Sequence, residues 1–401
     1  MSKNQGKARI LLTGDYPALE SSFVNEIKAT RAKDPFNPLL VFVSSKLLGL
    51  HLRRLLAENG VPHFNLRFWT LEEFTREIST PHLLSQGKKE LPSYADELVI
   101  GDIAKFLAGK DKGFYFHDIV DRPGFHQATL TTIKDLKDAC LLPEDIERLL
   151  RDAKISKQVH LPKLKDFVKL WRGYQEQLED LKCYDESDLM ISASQWVKDS
   201  IYLRQTPKML IYGFYDFNAA QKRVLQACFD EKETTVFLPY EPTHAFEFVK
   251  PALKWFRDIG FKETCLGGPA PQARSPSLDH LCLNLFNGGK PLENPSKEIQ
   301  IISAPGEPRE VREVIRLALQ TSQKEGIPFY EIGIVLRAPE EYSRLFREAF
   351  DSLGIEPYLR EGLPFIETRA GRSLMLLLNI TETARMPRFL NGDEWPLWIR
   401  I

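Results

Sequence analysis

Short apolar runs rich in β-branched and aromatic residues alternate along the chain with stretches whose apolar positions recur every three or four residues. The first pattern fits strands buried on both faces; the second fits helices with one buried stripe. Runs at Ala8–Gly14, Pro38–Ser44, Asn65–Thr70, Met209–Phe214 and Thr234–Pro239 predict five strands, with two more at Glu298–Ala304 and Glu331–Arg337. Between the second and third, Leu48, Leu52, Leu55 and Leu56 keep helical spacing, Ser44 and Ser45 stand where a cap belongs, and Gly60 stops the helix. Strand, helix, strand in this order makes a parallel crossover. The class is therefore α/β with a parallel sheet.

From about Pro81 to Ser200 the texture changes to charged helical patterns, such as Val99, Ile103, Phe106 and Leu107, before strand-like runs resume at Met209. The expected organisation is a first α/β unit split into 1–80 and 201–288, a helical insertion over 81–200, and a second unit over 296–401. Met209–Phe214 is expected to return to the sheet of Ala8–Gly14. Gly- and Pro-rich stretches at Gly267–Pro276 and Gly288–Pro295 read as linkers. The second unit opens on Ile299–Ala304, continues in a helix with Val311, Val314, Ile315 and Ala318 on one face, and Gly326 ends that helix.

Composition narrows the class further. With 401 residues, 43% hydrophobic and 27% charged, the chain is long enough for two or three globular domains. A formal net charge of −1 excludes a wholesale basic nucleic-acid binder and leaves room for a local basic groove. Five scattered cysteines without a C-x-x-C pair read as reduced thiols. No apolar run reaches membrane-span length and Met1–Lys7 lacks a signal-peptide core, so a cytoplasmic protein with no membrane partner is expected.

The first strand leads into Gly14-Asp15-Tyr16-Pro17-Ala18-Leu19-Glu20-Ser21. Laid on the phosphate-loop pattern G-x-x-x-x-G-K-[S/T], it keeps Gly14 and Ser21 but has Leu19 for the second glycine and Glu20 for the lysine. The glycine lets backbone N–H groups close around phosphates and the lysine supplies positive charge. Leucine obstructs the first and glutamate reverses the second, while Pro17 removes a donor. A plain strand-to-helix turn is the alternative. The strand Met209–Phe214, the turn after it and Gln221 occupy the place where an ATP-driven motor ends a strand in carboxylates for magnesium and water. Here Gly213 and Phe214 stand there, and no carboxylate follows before Asp216. Two defective halves suggest a retired nucleotide site.

Taken in order, these elements resemble the AddB (RexB) family of helicase–nuclease subunits, among the UvrD-like superfamily 1 relatives. The matching residues are the Gly14–Ser21 turn, Pro38–Ser44 with the Leu48–Leu56 helix, Phe68-Trp69-Thr70-Leu71-Glu72-Glu73-Phe74, and Gly213-Phe214-Tyr215-Asp216-Phe217 followed by Gln221. Ile334-Val335-Leu336-Arg337 with Tyr342, then Gly354–Tyr358, is similar to a fourth helicase motif and the strand after it. The resemblance implies two RecA-like units, a wholly or partly inactivated helicase site, an AddA-type helicase–nuclease partner, and single-stranded DNA from broken ends as ligand. It also implies a PD-(D/E)xK nuclease, with magnesium and an iron–sulfur cluster, further along than Ile401. No cofactor is expected in residues 1–401. A scaffold that does not hydrolyse ATP is the first reading. A fragment of an ATP-dependent exodeoxyribonuclease is the alternative, and a protein adaptor without DNA contact the third.

Other constellations are weaker. Asp135-Leu136-Lys137 and Asp230-Glu231-Lys232 match the short nuclease triplet, but such triplets arise by chance in a charged chain. His117, Asp118, Asp121 and His126 form the densest metal-capable group, for which a solvated loop is the expected reading. Arg337, predicted at a strand end, is a candidate phosphate or DNA contact. Arg67 beside Trp69 is a candidate stacking platform for unpaired bases, with core packing as the alternative.

Overall fold

A computed structural model describes residues 7–92, 94–151, 159–267, 275–293, 298–358 and 365–383. Most of the Gly267–Pro276 linker and part of Gly288–Pro295 lie outside the described residues. The chain divides into two units, Met1–Ile299 and Gln300–Ile401.

The first unit is built on one six-stranded parallel sheet. Its elements run β1 (Arg9–Gly14), α1 (Tyr16–Lys33), β2 (Leu39–Val43), α2 (Lys46–Glu58), β3 (Leu66–Trp69) and α3 (Leu71–Ser85). The chain then leaves through β4 (Lys89–Glu90), α4 (Ala95–Lys110), α5 (Pro123–Asp138), α6 (Pro143–Leu150) and α7 (Leu161–Asp180). It returns through β5 (Cys183–Tyr184), α8 (Glu186–Trp196), α9 (Ile201–Gln205), β6 (Lys208–Tyr212), α10 (Ala219–Glu231), β7 (Glu233–Pro239), α11 (Lys250–Asp258), β8 (Lys262–Cys265) and α12 (Pro276–Asn284). The strand order is β3-β2-β6-β7-β1-β8, so β6 lies in the same sheet as β1 with β7 between them.

The two-residue period of each strand explains why both faces are apolar. Leu40, Phe42, Met209, Ile211, Val236 and Leu238 point to one face, where they meet Phe74, Val224, Phe229 and Phe256 from α3, α10 and α11. Leu39, Val41, Val43, Leu210 and Phe237 point to the other, against Leu19, Phe23, Ile27, Leu52 and Leu56 of α1 and α2.

The helical stretch between β3 and β6 has two parts. Helices α3 and α8 pack on the sheet through Phe74, Ile78 and Ala193. Helices α4, α5 and α7 enclose a separate core of Ile100, Ile133, Leu170, Trp171 and Tyr174. Where the chain leaves and returns, β4 and β5 form a short parallel ladder. Pro81 does not open the insertion: α3 runs through it to Ser85.

In the second unit α13 (Glu307–Glu325), α14 (Pro339–Leu353) and α15 (Arg369–Thr383) are helical, and Val311, Ile315 and Phe346 are buried together. Gly326 ends α13 with φ +72°, as its position in the sequence suggests. The strands predicted at Glu298–Ala304 and Glu331–Arg337 do not form among the described residues. Ile301 is 97% and Val335 94% exposed, and their segments have no ladder partner. An apolar run makes a strand only where another strand satisfies its backbone.

Candidate functional site

In open parallel sheets ligands bind beyond the carboxyl ends of the strands, where the strand order reverses. The ends of β1 and β6 mark that edge here. A single residue, Asp15, separates β1 from α1. Its side chain caps the helix by accepting from the Ala18 N–H at 2.8 Å, and Tyr16 and Pro17 already belong to the first turn. The segment read as a degenerate phosphate loop is therefore not a loop. Leu19 is fully buried among Phe23, Val24 and Ile27. Glu20 contacts His51 Nε2 through its carboxylate at 2.7 Å, and Ser21 is exposed on the helix. Gly14 answers a packing need: a Cβ there would lie 3.1 Å from the Leu266 carbonyl oxygen, and the Leu266 N–H donates to Thr13 O at 2.7 Å.

The second half of the edge follows β6. Tyr212 ends the strand, buried, with a hydroxyl that has no hydrogen-bond partner among the described residues. Burial, with Glu20 nearby, pushes its phenol above the ordinary tyrosine range. Gly213 has φ +77°, and a Cβ would overlap the Leu48 side chain, so the turn needs glycine twice over. Beyond it, the hydroxyls of Tyr215 and Tyr16 hydrogen-bond to each other, joining the two halves of the edge. Asp216 is exposed. Phe214 and Phe217 stack at 5.3 Å, and Phe217 packs on Trp255 and Phe256. Gln221 closes a capping box with Asn218: its backbone N–H donates to Asn218 Oδ1 at 2.8 Å and its side chain accepts from Asn218 N at 3.1 Å.

These positions supply no cation for phosphates, and the end of β6 carries no carboxylate for magnesium. Among the described residues no three His, Cys, Asp or Glu side chains gather to hold a metal. His126 Nε2–H donates to Val120 O at 2.5 Å, His117 pairs with Asp118, and Asp121 pairs with Lys105.

Arg67 and Trp69 lie on edge strand β3, but the rings there are already engaged. The Arg67 guanidinium sits 4.1 Å above Tyr202 and 5.7 Å from the Trp69 centroid, and Trp69 meets Tyr202 edge-on at 4.9 Å and tilts onto Phe74. Arg337 is exposed at a bend before α14, not at the end of a strand.

A buried ionic cluster forms at the end of α5 around the lysine of the Asp135-Leu136-Lys137 triplet. Lys137 is almost fully buried and its ammonium lies 2.6 Å from Asp185 and 2.7 Å from Asp188. The Tyr174 hydroxyl donates to Asp185 at 3.2 Å. Burial works against the Asp185 charge, yet Lys137, the Asp188 N–H and Tyr174 together hold its carboxyl below the usual range. Asp188, less favourably placed beside the same lysine, is pushed up by burial and by the Asp185 charge. The neighbouring Asp138 accepts from Ser187 Oγ at 2.8 Å and Asn218 Nδ2 at 3.3 Å. The nuclease-like triplet Asp135-Leu136-Lys137 thus ends in a clamp that ties α5 to α8 and to the cap of α10. In the other triplet, Asp230 pairs with Arg9 at 2.8 Å.

Residues 85–260 match the family described as ADDB, N-terminal. The B-type subunit of the ATP-dependent helicase/deoxyribonuclease from Moorella thermoacetica is 23% identical over 372 residues, 85% of this chain and 31% of the relative. The protein of the same name from Bacillus subtilis is 22% identical over 375 residues, 84% of this chain and 30% of the relative. The chain is similar to the AddB family over residues 85–260 and to these subunits over most of its length. It spans about a third of the length of these relatives. The matched family region runs from the end of α3 to just past α11, so it takes in the inserted helices, β6, the Gly213 turn and β7. In this AddB-like chain, no helix among the described residues is long and apolar enough to cross a membrane.

Proposed function

We propose that this chain is a helicase-like scaffold subunit that does not hydrolyse ATP. It serves a complex that processes broken DNA ends for recombinational repair, alongside an AddA-type motor helicase–nuclease, and contacts single-stranded DNA. The observation that carries the reading is the β1–α1 junction. A phosphate cradle needs a loop of backbone N–H groups, and here one capping residue precedes a helix whose Leu19 is core. The Tyr16–Tyr215 contact lies across the edge where a nucleotide would enter. The DNA assignment is supported by the relatives' shared name; the hydrolytic activities in that name belong to proteins about three times as long.

Two measurements test it. Turnover of ATP with magnesium and DNA is expected at background, and the anisotropy of a fluorescent ATP analogue is expected to stay flat. Saturable turnover that disappears in Ser21→Ala would overturn the scaffold reading. For DNA, matched single- and double-stranded oligonucleotides are compared at two salt concentrations. A near-neutral chain lacks the counterion release that drives tight duplex binding, so affinity should be micromolar or weaker, favour single strands and fall with salt. Equal binding to both forms, or a salt-independent signal, would leave a protein adaptor as the better description.

A further inference from the structure

The two parts of the inserted stretch meet at a joint. Helices α5 and α7 belong to the separate helical core, while α8 packs on the sheet. Lys137, Asp185 and Asp188 close the joint between them, so that one ammonium faces two carboxylates. Two clefts flank this cluster, and the cations that line them are already engaged. Lys88 lies 2.6 Å from Glu179 and Lys134 2.9 Å from Asp96, and Arg76 donates to both oxygens of Glu90 at 2.6 and 2.5 Å. The cluster therefore keeps a negative charge that no second cation contacts among the described residues.

The two carboxylates are not equivalent. Asp185 is the N-cap of α8 and has three donors: Lys137, the Asp188 N–H at 2.9 Å and the Tyr174 hydroxyl at 3.2 Å. Asp188, three residues on, has two, Lys137 and the Asp185 N–H at 3.2 Å. The Asp185 side chain is 4% exposed and that of Asp188 is 35% exposed. Asp188 opens on a cleft of about 330 Å³ that Gln175, Glu179 and Trp196 also line, so a proton reaches it without unfolding. The positive end of α8 favours charge at both positions, and Lys137 favours it further. The lysine is shared, however, and at Asp188 burial and the Asp185 charge outweigh it and push the carboxyl up.

We propose that Asp188 is a proton-responsive element of this joint: one proton bound there from solvent removes the surplus charge, and the helical part grips the sheet more firmly. The grip passes on to the carboxyl edge. Asp138, next to Lys137, accepts from Ser187 of α8 and from Asn218, the cap of α10 that follows the Gly213 turn. The sign follows from linkage. A carboxyl raised in the folded state adds stability as pH falls through its folded value, the reverse of the depressed Asp185. Acidification from neutral pH should therefore firm the joint until Asp185 titrates in turn, below the ordinary value of about 3.9. The other titratable groups around Asp188 are Lys137 of α5, Tyr174 and Glu179 of α7, Cys183 of β5 and Lys88 after α3. His82 of α3 stacks at 4.0 Å on Trp196, and histidine titrates nearest to neutrality, so it needs its own control.

The test follows amide hydrogen exchange in α5 and α8 of the full chain from about pH 8 to about pH 5, corrected for intrinsic rates. Wild-type protection should rise as pH falls. Asp188→Asn carries no charge at any pH, so its profile should be flat. At about pH 8 it should be about threefold better protected than wild type, the size of one partly screened charge contact. His82→Gln should keep the wild-type profile. A flat or falling wild-type profile overturns the proposal without any variant. So does Asp188→Asn that is less protected than wild type at about pH 8 or keeps the wild-type slope, and so does loss of the slope in His82→Gln.

Discussion

Restoring the phosphate-loop consensus by Leu19→Gly with Glu20→Lys should destroy the fold before it creates a nucleotide site. Leu19 is fully buried between α1 and the sheet. Truncating a buried leucine to alanine costs about 2–5 kcal/mol through lost burial and the cavity left behind. Glycine inside a helix adds about 1 kcal/mol over alanine. Losing the partly exposed Glu20–His51 contact adds at most about 1 kcal/mol. The total, about 3–7 kcal/mol, is comparable with the whole stability of an ordinary domain. At roughly 2–4 °C per kcal/mol for units of this size, Tm should fall by about 6–28 °C. Thermal unfolding of the double variant, of Leu19→Ala and of Ser21→Ala decides it. Leu19→Ala should account for most of the loss, and Ser21→Ala, exposed on the helix, should be near neutral. A double variant with wild-type Tm that binds a fluorescent nucleotide would show that residue 19 lies in a loop, and the argument from the junction would fail.

Gly213→Ala should cost about 2–4 kcal/mol, from a positive φ and the overlap with Leu48, whereas Gly60→Ala, with φ +64° and open space, should cost about 1 kcal/mol. Equal losses in chemical denaturation would refute the close approach to Leu48. Lys137→Met should destabilise by about 3–5 kcal/mol, because it leaves two carboxylates without their buried cation. A depressed carboxyl contributes stability that is full above its unfolded value, about 3.9, and is lost as pH falls through the folded one. Wild type should therefore lose the Asp185 contribution below about pH 4, and an acid titration of Lys137→Met should show a shallower loss; identical slopes would refute it. Trp69→Ala should lower stability by about 2–3 kcal/mol, with oligonucleotide binding unchanged in protein kept below its Tm. A folded variant with weakened single-strand binding would put Trp69 in the DNA groove.

The first sheet is legible in the sequence because its signal is local. Runs such as Leu39–Val43 are apolar at every position, as a strand buried on both faces must be. Strand β8 is hidden for the converse reason: Lys262-Glu263-Thr264-Cys265 is a polar edge strand, defined by its pairing with β1 and not by its composition. The Gly14–Ser21 pattern misleads, because the pattern does not state where the helix begins; Asp15 as cap and Pro17 in the first turn carry that information. Lys137 is invisible as a buried ion because its partner Asp185 lies 48 residues away along the chain. Glu298–Ala304 and Glu331–Arg337 have strand composition, but composition cannot supply a neighbouring strand.

The contacts around the carboxyl edge bear on how such a unit could work. A nucleotide-driven motor needs an element with two arrangements that ligand binding can tip. Here the corresponding loop is held from three sides: Tyr215 against Tyr16 of α1, Asn218 against Asp138 of α5, and Phe217 in the aromatic core with Trp255 and Phe256. Asp138 also accepts from Ser187, and Lys137 beside it is buried against Asp185 and Asp188, so the insertion and the loop share one clamp. Releasing the loop would expose the Phe217 ring and break charge-assisted hydrogen bonds at the same time. A sheet edge fixed in this way supports the reading of a rigid scaffold, in which motion and hydrolysis are left to the partner.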